Sequence, residues 1–411
     1  MNYLKDYYFL KKIYNYKSEI IKPAESDFSI LNFIFYSEFN NRFPEKLECI
    51  RLANKNKKII RKIAVEKGIS CPESECIFDF PDSDVQQNKV FIYPVYKNNK
   101  KAKSDSVIFL LHGLNEKSWD KYHVWAKALL EMTGKAVLMF PISFHINRVL
   151  PSWNHPRRMD NLSKERMMMY PDLSESSFVN AAISTRLQFK PETFFWSGMR
   201  TYNDIIKLIN QIKSGNHPAI KNNASIDFFS YSIGAFLTEI LLMDNHNNWF
   251  DKSKALLFCG GPAMSHMYPS SRYIYDSETY KSMTDFYVLN FDKEIMKSKS
   301  MRNYFSGLEP AALDFKSLLN VDIESEYREK KLKNLSGQIK AISLAKDNVI
   351  PPSSVKLTLC GKNKDIPVNV VEKDFPFEYD HISPFPLGEG IKDDVNKSFI
   401  EVFEESSEFL G

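Results

Sequence analysis

The stretch Phe229-Ser230-Tyr231-Ser232-Ile233-Gly234 decides the reading of this chain. An apolar run, Ile226 to Phe229, ends at Ser230, and a second apolar run of helical length, Gly234 to Met243, starts just after it. A buried strand that turns sharply into a helix has this pattern. The turn crowds the positions two before and two after its apex, and both must be small. With Ser232 at the apex they are Ser230 and Gly234. With Ser230 at the apex one of them would be Phe228, which would clash. Ser232 is therefore the candidate nucleophile, with Ser230 where a glycine is usual. Taken alone, the hexapeptide also fits an ordinary strand-to-helix loop with a capping serine.

Outward from this turn the same alternation continues. Ser106 to Leu111 and Ala136 to Phe140 are short apolar runs separated by a helical pattern, Trp119 to Met132. A helix over Met199 to Lys213 leads into the strand at Ile226. Further strands are expected at Ala255 to Phe258, Ile339 to Leu344 and Val368 to Val371, with a last helix from Asp393 to Phe409. Strands alternating with helices predict an α/β fold: a mostly parallel, doubly wound sheet with helices on both faces. Two stretches interrupt the series, at about 141–197 and 260–337. Both are too long for structureless loops and are expected to fold as cap-like insertions. Residues 1–85 read as an N-terminal helical extension, with periodicity clearest from Glu45 to Lys67, ending near Pro81. Residues 86–411 make the main domain. Its first strand, Val90 to Tyr96, carries Pro94, which predicts a place near a sheet edge.

Composition excludes several classes. The 411 residues hold 43% hydrophobic and 26% charged side chains, the balance of a soluble globular protein. A net charge of +4 is too small over this length to make a nucleic-acid or membrane-surface field the leading idea. The five cysteines, at 49, 71, 76, 259 and 360, form no disulfide framework. The eight histidines come no closer than ten residues, His145 to His155, so none pair at helix-face spacing for a metal, and no phosphate-loop motif is present. No cofactor and no metal are expected. With no apolar leader and no run approaching a membrane span, the expected location is cytoplasmic, without stable membrane insertion.

A serine hydroxyl is a weak nucleophile, so acyl transfer by Ser232 needs a base and donors for the developing oxyanion. His112-Gly113 directly follows the strand ending at Leu111, and the glycine lets the next amides approach the site. The amide of Leu114 or Asn115 would then join that of Ile233. A satisfied core histidine with a turn is the plainer reading of His-Gly by itself. His381 is the only histidine after His266, in a loop kept irregular by Pro384 and Pro386. Asp347 ends the segment Ala341 to Lys346 at the C-terminal end of a strand, placed to accept the imidazole N–H. Asp365, Asp374 and Asp380 are alternatives.

With these residues in place, the chain resembles the α/β-hydrolase superfamily from about Val90 onward, outside the two insertions. The resemblance implies Ser232, Asp347 and His381 as a triad in the order nucleophile, acid, histidine, and the Ile233 amide as an oxyanion donor. It also resembles an uncharacterised bacterial subgroup of serine hydrolases in which Tyr-Ser-Ile-Gly-Ala and His-Gly-Leu-Asn recur, which adds no substrate. The expected activity is cleavage of a carboxylic ester or thioester through an acyl-enzyme. The same triad would serve an amidase or peptidase, and a non-catalytic interaction module is the reading from another class. The partner expected is a small acyl substrate, with an apolar one suiting Met167, Met168, Met169, Tyr170 and Phe194 to Trp196 of the first insertion. Those side chains would equally form the insertion's own core. Oligomeric state is left open.

Overall fold

The computed structural model describes the chain except residues 25, 39–42, 45, 71, 80–81 and 308, and the side chains of 46, 47, 49 and 310. The expectations placed on Glu45, Pro81 and Cys71, and on the side chain of Cys49, lie outside the described residues.

The chain opens with α1 (Tyr3–Ile13), β1 (Ile20–Ile21), β2 (Phe28–Tyr36), α2 (Lys46–Glu66) and the short α3 (Gln86–Lys89). Then come β3 (Val90–Asn98), β4 (Ser104–Leu111), α4 (Asp120–Thr133) and β5 (Ala136–Met139). Helices α5 (Pro156–Met169), α6 (Ala181–Phe189) and α7 (Glu192–Lys213) lead to β6 (Ile220–Tyr231), α8 (Ile233–Asp244) and β7 (Ala255–Phe258). A second helical run follows: α9 (Ser277–Met283), α10 (Phe291–Lys297), α11 (Lys299–Ser306), α12 (Pro310–Ser317) and α13 (Ser325–Asn334). The chain closes with β8 (Ile339–Leu344), α14 (Pro352–Leu359), β9 (Asn369–Lys373) and α15 (Lys392–Leu410).

Among the described residues, nine strands form one sheet in the order β1-β2-β3-β5-β4-β6-β7-β8-β9. From β5 to β9 every pairing is parallel, and β1, β2 and β3 add an antiparallel side. Side chains of a strand alternate between faces, so each central strand feeds two cores. In β4, Val107, Phe109 and Leu111 pack with α7 and α8, while Ile108 and Leu110 pack with α1, α4 and α15. Both faces are covered, which is why these strands read as unbroken apolar runs.

Three differences from the sequence reading have physical causes. The extension read as helical over residues 1–85 contributes β1 and β2, and β2 pairs along its whole length with β3. Its Tyr- and Phe-rich composition suits either period, and only pairing selects the strand. Second, β3 is not at an edge but lies between β2 and β5. Pro94 is tolerated because β3 pairs with β5 only through Val95 and Tyr96, so the proline falls just past that short ladder. Third, β6 starts at Ile220, before the apolar run, because polar Lys221, Asn222 and Asn223 lie on its exposed end.

Two buried histidines tie the antiparallel side to the rest: His123 Nδ1 lies 2.8 Å from the Tyr96 hydroxyl, and His217 Nε2 lies 3.2 Å from that of Tyr93. Burial drags the imidazole of His123 down to about 3 and that of His217 to about 4. An unfolded histidine protonates near pH ~6.5, so the stability these neutral rings confer is complete above that pH and is lost as pH falls toward about 4 for His217 and about 3 for His123. Calorimetric melting scans are expected to show the midpoint falling across this window, with a shallower fall in His123→Phe. An unchanged midpoint would contradict it.

Candidate active site

The site begins with backbone strain. Ser232 sits between β6 and α8 at φ 56°, ψ −120°, a conformation that L side chains rarely adopt and that costs roughly 1–3 kcal/mol. Its surroundings hold it there. A Cβ on Gly234 would lie 2.8 Å from the Leu111 Cβ and 2.9 Å from the Leu111 carbonyl oxygen. One on Gly260, two residues after β7, would lie 2.4 Å from the Ala235 Cβ and 3.1 Å from the Ser232 carbonyl oxygen. Ser230 fits where glycine was expected because its hydroxyl bonds Thr238 Oγ1 at 2.6 Å, and Thr238 in turn donates to the Gly234 carbonyl.

The geometry brings together Ser232, His381 and Asp347. Ser232 Oγ lies 2.8 Å from His381 Nε2, and His381 Nδ1 lies 2.7 Å from Asp347 Oδ2. The other carboxylate oxygen, Oδ1, accepts the amides of Val349 (2.9 Å) and Ile350 (2.8 Å). A carboxylate accepts only, so His381 carries its proton on Nδ1 and offers Nε2 to the serine hydroxyl. The other acids are engaged elsewhere: Asp374 with the Tyr379 hydroxyl, Asp380 with the Ser383 amide and Asp365 with Lys333.

Sequence reasoning missed the clasp around the imidazole. The Tyr231 ring stacks on His381, with centroids 5.4 Å apart, and Lys121 Nζ stands 4.7 Å from the centroid of the Tyr231 ring. Lys121 also donates to the Ile382 carbonyl (2.9 Å) and pairs with Glu116 (2.6 Å). Glu116 accepts from the Tyr122 hydroxyl, which accepts from the Gly113 amide. One network thus joins the loop after β4 to the loop bearing His381. Nothing in the local sequence singles out these residues.

The His112 imidazole is fully engaged. Nδ1 donates to the Gly113 carbonyl (2.8 Å) and Nε2 accepts from the Ile142 amide (2.9 Å), while burial pulls its pKa down to about 4. It braces the turn. A Cβ on Gly113 would meet the Tyr231 ring at 3.1 Å and the Ser232 Cβ at 3.4 Å, which is why glycine is needed for this approach. Asn115 has φ 63° and sends its amide group to the Val179 and Tyr273 carbonyls, binding the two insertions together. Leu114 and Ile233 line the cavity above Ser232.

That cavity is walled by both insertions: Phe194 from the first, and Met264, Met267, Tyr275, Tyr280 and Met283 from the second. Of the first insertion's candidates, Phe194 alone reaches it. Met167 and Met168 are exposed, and Met169 and Trp196 are buried in packing. Among the described residues, no three His, Cys, Asp or Glu side chains cluster as metal ligands, and no helix is long and apolar enough to cross a membrane.

The strand order, the strained serine between β6 and α8, and the order serine, aspartate, histidine along the chain define an α/β-hydrolase fold. The chain belongs to the Family of unknown function (DUF6051), whose profile spans residues 1–411. No curated protein matches it. Among solved structures it is similar to carboxyl esterase 2 of the mycorrhizal fungus Tuber melanosporum (11% identity, 78% of this chain and 81% of that one, TM-score 0.39). It is also similar to a cold-adapted esterase from an Arctic intertidal metagenomic library (8%, 95% and 99%, 0.38). A third is the acylaminoacyl peptidase of Pyrococcus horikoshii (12%, 77% and 38%, 0.39). At such overlap, residue roles rest on this chain's own geometry.

Gly234→Ala is expected to destabilise the fold by about 1–3 kcal/mol through overpacking against Leu111. Ser230→Gly, which loses one buried hydrogen bond, is expected to cost about 1 kcal/mol. Urea titrations compare the two, and equal tolerance of both would contradict the crowding.

Proposed function

We propose that this protein is a serine hydrolase that cleaves a carboxylic ester or thioester through an acyl-enzyme. The observation that carries the reading is the unbroken line Ser232 Oγ, His381, Asp347, with bonds of 2.8 Å and 2.7 Å, at the floor of an apolar cavity. His381 Nε2 takes the hydroxyl proton as Ser232 Oγ attacks the substrate carbonyl carbon, and Asp347 stabilises the imidazolium. The carbonyl oxygen becomes an oxyanion held by the Ile233 and Leu114 amides. Leu114 is favoured over Asn115 because it shares the cavity wall with Ser232. As the tetrahedral centre collapses, the alcohol or thiol leaves with the proton from His381, and the acyl group stays on Ser232. Water, deprotonated by His381, then repeats the attack and frees the acid.

Two features support the ester reading. The cavity walls are methionine, tyrosine and aliphatic side chains, which suit an apolar acyl group, and a strained serine held against an oriented imidazole is what a nucleophile requires.

Treatment with a fluorophosphonate probe is expected to give one covalent adduct, at Ser232. Ser232→Ala and His381→Ala should each lower kcat/KM for an active ester by roughly thousands-fold, and the double variant should cost little more. No adduct on folded protein, together with wild-type turnover by Ser232→Ala, would sink the proposal.

A further inference from the structure

A second cavity adjoins the first and shares Leu114, Phe194 and Ile233 with it. Its remaining walls include Ile142, Met199, Phe236, Leu237 and Phe315, with two polar side chains: Ser197, whose hydroxyl donates to the Thr193 carbonyl (2.6 Å), and His145. His145 is buried, and its Nδ1 lies 2.9 Å from the Ser143 carbonyl oxygen. A carbonyl accepts only, so Nδ1 bears the proton. Nε2 is buried with no protein partner among the described residues. Burial, with His112, Lys117 and Arg186 acting in the same direction, holds the imidazole well below its usual range, so it stays neutral and Nε2 is left as a bare lone-pair acceptor. A buried acceptor without a donor is costly and is expected to be met by something.

The backbone around His145 is built at a cost. Phe144 and Ile146 on either side have φ of 66° and 52°, which for a β-branched or bulky side chain is a genuine outlier. The segment is pinned from several directions. Asn88 Oδ1 accepts the Phe144 amide, the Glu116 carbonyl accepts the Ile146 amide, and Arg148 holds the Pro141 carbonyl. Strain maintained in this way is characteristic of functional positions.

We infer that the second cavity receives an apolar arm of the substrate and that His145 Nε2 accepts a hydrogen bond from a hydroxyl carried on that arm. This deepens the hydrolase reading and rests on it: the substrate class becomes a hydroxyl-bearing aliphatic ester or thioester. Leu114 and Ile233 lie where the two cavities meet, so a carbonyl oxygen held at their amides directs one arm of the ester toward each cavity. An apolar pocket alone discriminates weakly between chains, whereas a buried acceptor left unpaired penalises the analogue that lacks its donor.

The test compares p-nitrophenyl hexanoate with its hydroxyl-bearing positional isomers. In the wild-type protein at least one isomer is expected to exceed the plain ester in kcat/KM by roughly tenfold. His145→Phe, close in size but without an acceptor, should abolish that ratio, and His145→Gln, which keeps an acceptor, should retain part of it. The ratio is read within each variant, and cooperative melting checks folding. Calorimetric binding of the same esters to Ser232→Ala supplies a readout that does not need turnover. Turnover and Ser232 labelling without preference for any isomer, or a preference that survives in His145→Phe, overturns the assignment of His145 alone. No labelling and no turnover, with the hydroxyl preference still present in binding, overturns the hydrolase reading and leaves the pocket assignment standing.

Discussion

Everything at this site depends on one backbone position held where it would not rest by itself. Ser232 at φ 56° projects its hydroxyl from the apex of a turn rather than burying it in the strand or along the helix. Three close approaches hold it there: Gly234 against Leu111 of β4, Gly260 against Ala235 of α8, and Gly113 beneath the Tyr231 ring. Two of these contacts come from the end of β4 and one from the end of β7, so the strain is supported by the strands on either side of β6. Parallel β4, β6 and β7 deliver their C-terminal ends side by side, and the turn is the point where they converge.

The imidazole is fixed by a second set of constraints that do not touch the turn covalently. Asp347 is itself fixed by two amides at the start of the loop after β8, so its remaining oxygen has a defined direction for His381. Lys121 then reaches across from α4 to hold both the Ile382 carbonyl and the face of Tyr231. Its partner Glu116 connects through Tyr122 to the Gly113 amide. The loop after β4 and the loop bearing the histidine are thereby joined by one chain of contacts.

The roof is equally bound into the scaffold. Arg166 of α5 grips Asp276 through two bonds, of 2.7 Å and 2.9 Å, with both side chains fully buried. Asn115 and Asn180 add bonds from the main domain and the first insertion to carbonyls of the second. Breaking a buried, bidentate pair leaves a charge without its partner and is strongly unfavourable. The two insertions therefore cover Ser232 as one joined layer.

The sequence alone determined the alternation of strands and helices from β4 onward, because strands buried on both faces must be continuously apolar and their crossover helices cannot be. It also picked out Ser232, His381 and Asp347 as candidates, since a tight turn demands small flanking residues and acyl transfer would need a base and an acid further along the chain, and the structure sets the three in one hydrogen-bonded line. The tertiary structure alone decided the rest. Strand β2 is invisible to periodicity because its partner is more than fifty residues away in the chain. Phe194 lines the cavity while Met167 and Met168 face outward, a choice that depends on how two distant insertions pack. The clasp of Glu116, Lys121 and Tyr122, and the unpaired nitrogen of His145, arise from contacts between segments with no fixed spacing. Local sequence records backbone period and residue chemistry. Which side chains meet across the sheet is set by the packing of the whole chain, and that carries no local signature.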